Sequence, residues 1–109
     1  TLFDLVAQGE ISVELLVDRV SHAPSDLFGV KDRGYVREGW FADLVIVDPA
    51  TPYKVSESNL LCKCQWSPFE GHEFSASIDT TIVNGEVVYR DGALTGAITG
   101  RRLEFERAR

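Results

Sequence analysis

The order of apolar and polar residues predicts helices at the start of the chain and strands after them. Between residues 13 and 20, apolar residues recur at the i, i+3, i+4 and i+7 positions of one helix face. Ser12 stands before this segment as its N-cap, and Pro24 is predicted to stop the helix. We expect one further turn at residues 24–28, ended by Gly29.

A shorter helix and several strands complete the predicted elements. The short helix is expected at residues 1–8. Residues 44–47 form a continuous apolar run between turn residues, which is typical of a strand covered on both faces. Short strands are expected at residues 35–36 and 52–55, followed by a helical turn at residues 56–61.

The clearest hairpin lies where Asn84 and Gly85 separate two β-favouring runs, residues 80–83 and 86–89. A two-residue Asn-Gly loop suits a type I′ turn, which needs positive φ at both central positions. Apolar groups fall on both faces of this hairpin. We therefore expect the hairpin to be covered on both sides.

Composition and charge restrict the partners that the chain can have. Its 109 residues suffice for one small domain with a modest core. The net charge of −6, from 11 basic and 17 acidic residues, argues against nucleic acid and anionic membranes, which need a basic footprint. No apolar run approaches the roughly 20 residues of a membrane span. The chain contains no Met, so its first residue is not a translation start, and we expect a cut piece of a longer protein or an isolated domain.

Few residues are candidates for metal binding or catalysis. Cys62 and Cys64 would share one face of an extended segment, where a disulfide between them is geometrically poor. We expect reduced thiols, as is usual in a cytoplasmic protein. We expect their role to be structural and half-buried, because His72 is the one further candidate metal ligand nearby. His22 suits a helix C-terminus, and Asp43 suits a turn or cap at a strand start. Metal binding by the thiols and catalysis by His22 or Asp43 are the alternatives.

Common nucleotide and nucleophile motifs are missing from the sequence. It contains no P-loop, no dinucleotide fingerprint and no Gly-x-Ser-x-Gly elbow. Ser67 is followed by Pro68, which favours a turn over an activated nucleophile. Trp66 and Phe69 could line a pocket, although large aromatic side chains more often fill cores.

One stretch of the chain resembles the C-terminal end of a cyclic amidohydrolase, most closely a dihydroorotase. The resemblance is carried by Ser-Pro-Phe-Glu-Gly at residues 67–71 and by the Asn-Gly hairpin that ends in Val-Val-Tyr at residues 87–89. It extends over residues 2–105. Lys-Cys-Gln-Trp at residues 63–66 favours a dihydroorotase over a hydantoinase or an allantoinase.

The resemblance implies an α+β fragment of a composite domain. Residues 1–30 would supply the N-terminal helices, from the end of a catalytic (β/α)₈ barrel, and residues 31–109 the strands of the small flanking β-sandwich. By the same resemblance, the parent enzyme interconverts N-carbamoyl-aspartate and dihydroorotate in pyrimidine biosynthesis and uses zinc. The alternatives are a hydantoinase or allantoinase-type enzyme and a non-catalytic amidohydrolase-like assembly subunit.

The resemblance also implies that the catalytic residues lie outside this chain. A metallo-amidohydrolase holds zinc with His, Asp and usually a carboxylated Lys, and the metal lowers the pKa of a bound water. The chain has none of these motifs; Glu70 belongs to a structural turn, and Asp4 and Asp18 lie on amphipathic helical sequence. We therefore expect no catalytic, cofactor-binding or metal-binding residue here. The expected partners are the remainder of the same enzyme or an oligomeric partner, with a small-molecule substrate for the parent.

Overall fold

The computed structural model describes residues 2–106, in which helices come first and antiparallel strands follow. The helical elements are α1 (Leu2–Ala7), α2 (Val13–Val17), a π-helical turn (Asp18–His22), α3 (Ala23–Phe28) and a 3₁₀ turn (Glu57–Asn59). The strands are β1 (Leu44–Asp48), β2 (Tyr53–Lys54), β3 (Glu73–Phe74), β4 (Ser77–Val83), β5 (Glu86–Arg90) and β6 (Ala93–Leu94). The α+β class is confirmed, whereas the assignment to barrel and sandwich stays a prediction.

Helix α2, the π turn and α3 follow one another without a break, so the prediction that Pro24 stops the helix is wrong. Proline lacks an N–H and its ring clashes with the carbonyl four residues earlier. The π turn lies just before it, and the amide of Ala23 donates to the carbonyl of Asp18 five residues back. This wider spacing accommodates the ring at the start of α3. The helical segment ends at Gly29, which is left-handed as expected of a C-terminal glycine.

The start of α2 agrees with the sequence-based expectation. Ser12 has extended backbone angles, and its hydroxyl accepts the amide of Leu15 at 3.1 Å. That bond satisfies one of the amides that a helix start leaves without an internal partner. The short helix expected at residues 1–8 is present as α1. Residue 1 lies outside the described residues. No helix among residues 2–106 is long and apolar enough to cross a membrane.

Four strands form an antiparallel sheet in the order β1-β4-β5-β6, while β2 and β3 pair separately. The β4–β5 hairpin turns at Asn84 and Gly85, whose φ angles are 51° and 85°, and the predicted I′-type turn is confirmed. The register shifts within the hairpin, because Thr81 is opposite Tyr89 but Ile82 is opposite Val87. A β-bulge of this kind bends the hairpin and increases its twist.

Strand β1 does not have the double cover that its apolar sequence predicts. It is an edge strand paired with β4 alone, and Val45 and Ile46 are 57% and 51% exposed. The short strand predicted at residues 35–36 is also absent from the described structure. The strand expected at residues 52–55 is present but shorter, as β2, and the helical turn at residues 56–61 is the 3₁₀ turn.

The core is small for a chain of this length. Among the described residues, Leu16 and Val55 are the apolar side chains that are almost fully buried. The accessible surface is 8406 Å², whereas a compact monomer of this mass exposes roughly 6,000 Å². The radius of gyration is 15.8 Å, compared with about 13 Å for a compact domain of the same length. Much apolar surface therefore lacks cover.

The end of the described chain returns to the end of the helical segment. Val30 forms an antiparallel bridge with Phe105, and the amide of Lys31 donates to the carbonyl of Glu104 at 2.9 Å. The C-terminal residues, which follow the last strand in sequence, therefore attach to the connection between α3 and β1.

Candidate functional site

The Ser-Pro-Phe-Glu-Gly segment, residues 67–71, forms a tight turn. The hydroxyl of Ser67 accepts the amide of Phe69 at 3.1 Å. Gly71 has a φ of +80°, a conformation that glycine adopts without steric cost. The side chain of Glu70 is exposed. The hydroxyl of Ser67 holds its own turn, which supports the turn role predicted for it. The structural role of Glu70 stays a prediction.

This turn is fastened to the end of β2 by a pair of backbone hydrogen bonds. The carbonyl of Val55 accepts the amide of Gly71 at 2.9 Å, and the amide of Val55 donates to the carbonyl of His72 at 2.9 Å. Val55 is itself buried. The turn therefore extends the small β2–β3 ladder and places His72 beside it.

His72 lies in an aromatic cluster that contacts the first helix. Its ring centroid is 6.2 Å from that of Phe69 and 4.5 Å from that of Phe74. Its Nε2 lies 3.6 Å from one carboxylate oxygen of Asp4, and the other oxygen accepts the amide of Ser75 at 2.7 Å. The hydrogen bond from the backbone amide of Ser75 is the first cause that lowers the pKa of Asp4 to about 2, because it stabilises the ionised carboxylate.

Arg33 is a buried cation that joins separate parts of the chain. The residue is 8% exposed, and its guanidinium forms an ion pair with Asp43. The same guanidinium donates to the side-chain oxygen of Asn84 at 2.7 Å and lies 4.0 Å from the ring centroid of Phe41. The hydroxyl of Ser25 donates to the backbone carbonyl of Arg33 at 2.7 Å. We refer to Arg33, Asp43 and Asn84 as the arginine clamp.

Asn84 makes further hydrogen bonds within and beside the arginine clamp. The backbone amide of Asn84 donates to Asp43 at 2.8 Å, and its side-chain amide donates to the carbonyl of Thr99. A buried charge that is paired and hydrogen-bonded in this way has a structural explanation. Asp43 therefore holds the β4–β5 turn at the start of β1, which agrees with the turn or cap role predicted for it.

His22, Tyr35 and Trp40 form an aromatic group on the surface of the helical segment. The rings of His22 and Tyr35 are parallel at 4.1 Å, and Trp40 packs edge-on against Tyr35 at 5.7 Å. The hydroxyl of Tyr35 donates to Asp26 at 2.7 Å, and this bond raises the pKa of Tyr35. The helical segment continues past His22, so its predicted place at a helix C-terminus is wrong. The imidazole packs the α3–β1 connection against the helix.

Cys62 and Cys64 lie on an exposed tight turn, so the prediction of half-buried thiols on an extended segment is wrong. The amide of Gln65 donates to the carbonyl of Cys62 at 3.2 Å, and Gln65 has a φ of 51°. Both cysteines are free and exposed. Their sulfur atoms lie 3.5 and 3.8 Å from the carbonyl oxygen of Trp66. A hydrogen bond from Cys64 is the main cause that lowers the pKa of Cys62.

An apolar cavity of about 680 Å³ lies between α1 and the four-stranded sheet. None of its lining residues is Asp, Glu, His, Lys or Arg. Large aliphatic and aromatic side chains dominate it, among them Leu2, Phe3, Phe74, Ile78, Val88 and Leu94. A cavity of this composition suits the burial of apolar groups and offers no acid–base pair for catalysis.

The described residues do not fit a catalytic zinc site. Within residues 2–106, no three His, Cys, Asp or Glu side chains are arranged so that they could hold a metal ion. Asp4 and His72 offer two donors, and a catalytic zinc takes three protein ligands and keeps an open position. We derive no metal-dependent step from this chain. That it carries no catalytic, cofactor-binding or metal-binding residue stays a prediction.

Sequence comparison identifies the class to which this architecture belongs. The profile of the Amidohydrolase family matches residues 2–88, and the chain belongs to that family. Among curated relatives, the dihydroorotase of Pyrococcus horikoshii is 33% identical over 105 residues, which cover 96% of this chain and 25% of that protein. The dihydroorotase of Halobacterium salinarum is 38% identical over 98 residues, covering 88% of this chain and 22% of the relative.

Solved structures of hydantoinases share the fold. The L-hydantoinase of Arthrobacter aurescens aligns with a TM-score of 0.75 and 33% identity, covering 82% of this chain and 20% of that one. The D-hydantoinase of a Thermus species aligns with a TM-score of 0.76 and 30% identity, covering 84% and 20%. The chain thus spans a quarter or less of the length of these four relatives.

The arginine clamp is the main feature that sequence reasoning missed. Its three members are ordinary when each is considered alone: an arginine in a polar connection, a carboxylate before a strand and an asparagine in a turn. Arg33 is 10 positions from Asp43 and 51 from Asn84. The one available signal was the acidic residue directly before an apolar strand, since such a residue needs a partner if its surroundings are buried.

Proposed function

We propose that this chain is the C-terminal portion of a zinc-dependent dihydroorotase of the cytoplasm. The parent would cyclise N-carbamoyl-aspartate reversibly to dihydroorotate in pyrimidine biosynthesis. The observation that carries the proposal is the match of dihydroorotases to nearly the whole chain, with 33% identity over 96% of it in one case. The Ser-Pro-Phe-Glu-Gly turn and the Asn-Gly hairpin, on which the resemblance rests, are both ordered structural features.

We assign residues 1–30 to the last helices of a catalytic barrel and residues 31–109 to a flanking β-sandwich. The order of elements supports this division, because the three helices come first and all six strands follow among the described residues. The hydantoinase structures cover more than four-fifths of the chain in one alignment, which is expected if both parts keep their family arrangement. Zinc and substrate would then be bound by upstream residues.

The role of this portion is to complete and support the catalytic domain. Its accessible surface exceeds that of a compact monomer by about 2,400 Å², which is within the range of an obligate interface. The apolar cavity beside α1 and the exposed β1 residues Val45 and Ile46 belong to this surface. We propose that the remainder of the same enzyme, or an oligomeric partner, covers it.

A hydantoinase-type enzyme is the second candidate, because an L-hydantoinase structure is as similar in sequence as one of the dihydroorotases, at 33% identity. Dihydroorotases and hydantoinases both match most of this chain, so the comparisons do not separate the two cyclic amides. A non-catalytic assembly subunit is the third candidate, in which upstream metal ligands have been lost.

The test is an assay of the intact protein that contains these residues. It should open dihydroorotate and close N-carbamoyl-aspartate with a kcat/KM at least about 100-fold above that for hydantoin or dihydrouracil, and it should contain stoichiometric zinc. A preference for hydantoin would replace the proposal with the second candidate. Absence of both turnover and bound metal would replace it with the third. The 109-residue chain alone should show neither zinc nor hydrolysis.

A further inference from the structure

The turn at residues 61–66 brings together two thiols that the proposed function does not use. The sulfur atoms of Cys62 and Cys64 lie 3.5 and 3.8 Å from one acceptor, the carbonyl oxygen of Trp66. The neighbouring Cys64 thiol is also the first cause that lowers the pKa of Cys62. Both residues are exposed and neither is in a disulfide. Two sulfur donors are therefore side by side and accessible to a ligand from solvent.

The backbone explains why the two side chains converge. The amide of Gln65 closes the turn onto the carbonyl of Cys62 at 3.2 Å, and Gln65 itself has a positive φ of 51°. The chain reverses at this point, so that both thiols reach the carbonyl of Trp66. Because the turn exists before a ligand binds, less conformational freedom is lost when both sulfur atoms engage it.

The number and type of donors select the ligand. Thiolates are soft ligands that favour Cu(I), zinc and iron–sulfur clusters. Zinc in structural sites takes four ligands and iron–sulfur clusters take four cysteines, but no third His, Cys, Asp or Glu completes such a set in the described part of the chain. A d¹⁰ monovalent cation is satisfied by two sulfur atoms in line. Two metal–sulfur bonds of about 2.3 Å span roughly 4.6 Å. Two sulfur atoms that lie 3.5 and 3.8 Å from the same carbonyl oxygen can take up this separation.

We propose that Cys62 and Cys64 form a two-thiolate binding site for a soft monovalent cation of the Cu(I) type. Binding replaces the two S–H bonds by two S–Cu bonds and releases both protons to solvent, with no change in oxidation state. The lowered pKa of Cys62 favours loss of the first proton. The site is independent of the amidohydrolase activity, so its failure would leave the proposed function unaffected.

The test is an anaerobic competition titration of the reduced intact protein with Cu(I) held by a chromophoric chelator. The wild type should bind one more Cu(I) per chain than the Cys62→Ser/Cys64→Ser double variant, which corrects for sites elsewhere. Each single variant should bind that Cu(I) at least about 100-fold more weakly, because one thiolate lacks the effective concentration of a linked second donor. Lys63→Ser changes an exposed residue on the same turn and should keep the wild-type affinity.

Three results would overturn the proposal. Equal Cu(I) uptake by the wild type and the double variant would show that the turn binds none. Single variants with wild-type affinity would show that the thiols act separately. An extra half-equivalent, accompanied by dimerisation, would show that Cu(I) bridges two chains. Melting curves and counts of reactive thiols in each variant confirm that the comparison is made on folded protein.

Discussion

At the scale of single residues, this chain uses buried or partly buried charges to join segments that are distant in sequence. Arg33, in the segment between α3 and β1, is joined to the start of β1 through Asp43 and to the hairpin turn through Asn84. Asp4 connects α1 to the segment before β4 through the amide of Ser75. Such contacts replace part of the hydrophobic core that is otherwise small. Their loss should therefore be measurable.

The lowered pKa of Asp4 predicts an acid-sensitive contact. Its pKa is about 2 in the folded chain and 3.8 ordinarily, so the ionised form is favoured by folding. The resulting stabilisation is complete above pH 3.8 and is lost as the pH falls toward 2. Between pH 4 and 2, the denaturant midpoint of the wild type should therefore fall more steeply than that of Asp4→Asn, because the introduced amide does not titrate.

The Asp4→Asn comparison removes one carboxylate and leaves every other acidic residue in place. Denaturant midpoints of the intact protein that contains these residues, measured across this pH range, are sufficient. Parallel curves would show that the contact between Asp4 and Ser75 does not depend on the charge of Asp4.

Gly34 is predicted to be intolerant of a side chain for a steric reason. A Cβ at this position would lie 2.4 Å from the Cβ of Ser25 and 2.9 Å from the carbonyl oxygen of Ser21. Gly39 has nearly the same φ, +83° against +85°, but its Cβ would meet nothing within 4 Å. Gly34→Ala should therefore lower the free energy of unfolding by roughly 1–3 kcal/mol more than Gly39→Ala does.

The pair of glycine variants separates backbone strain from crowding. Both carry the same cost of a positive φ, about 1–2 kcal/mol. The difference between their denaturant midpoints therefore reports the contact with the π turn and α3. If both variants lose equal stability, the close approach of Gly34 to the helix is incorrect.

At the scale of elements, local chemistry and tertiary packing meet at two places. The π turn lets the helix pass Pro24, and the bulge in β4–β5 shifts the register after Thr81. The π turn widens the helix locally, and the bulge adds one residue to one strand of the hairpin. The hairpin turn itself is an ordinary Asn-Gly turn that the arginine clamp holds from outside.

Gly85→Val should destabilise the hairpin. Gly85 has a φ of +85°, which a β-branched residue adopts only with strain, so we expect a loss of about 1–2 kcal/mol or more. Gly100→Val is the matched control, because Gly100 has no positive φ and its Cβ would meet nothing within 4 Å. Equal denaturant midpoints for the two variants would refute the role of the turn.

At the scale of the whole molecule, uncovered apolar surface is the main property. Val45 and Ile46 on β1 and Val13 and Val17 on α2 are exposed, although their spacing is that of core residues. Each large aliphatic side chain left in water forfeits roughly 1.5–3 kcal/mol. The net stability of a domain is only about 5–15 kcal/mol, so a few such residues consume the margin.

The isolated 109-residue chain should therefore not persist as a compact monomer. The open edge of β1 adds unpaired backbone groups that favour pairing with other chains. Sedimentation velocity at micromolar concentrations should show association that increases with concentration. A single monomeric species with a cooperative thermal transition would show that the chain is complete by itself, and would contradict the interface proposed for it.

The sequence by itself determined the features that depend on a few neighbouring residues. Ser12 caps a helix because its hydroxyl reaches an amide three residues on. Asn84 and Gly85 make a hairpin turn because both accept positive φ. The family resemblance likewise rests on short motifs, the turn at residues 67–71 and this hairpin.

Only the tertiary structure decided which distant groups meet. The pairing of Arg33 with Asn84 and the stacking of His22 on Tyr35 both depend on how the backbone runs in three dimensions. Secondary-structure propensity and the periodicity of apolar residues depend on neighbours within about one helical turn or two strand residues. The hydrogen bond from Arg33 to Asn84 spans 51 positions and is governed instead by burial, because a buried charge is stable only where partners have been brought to it.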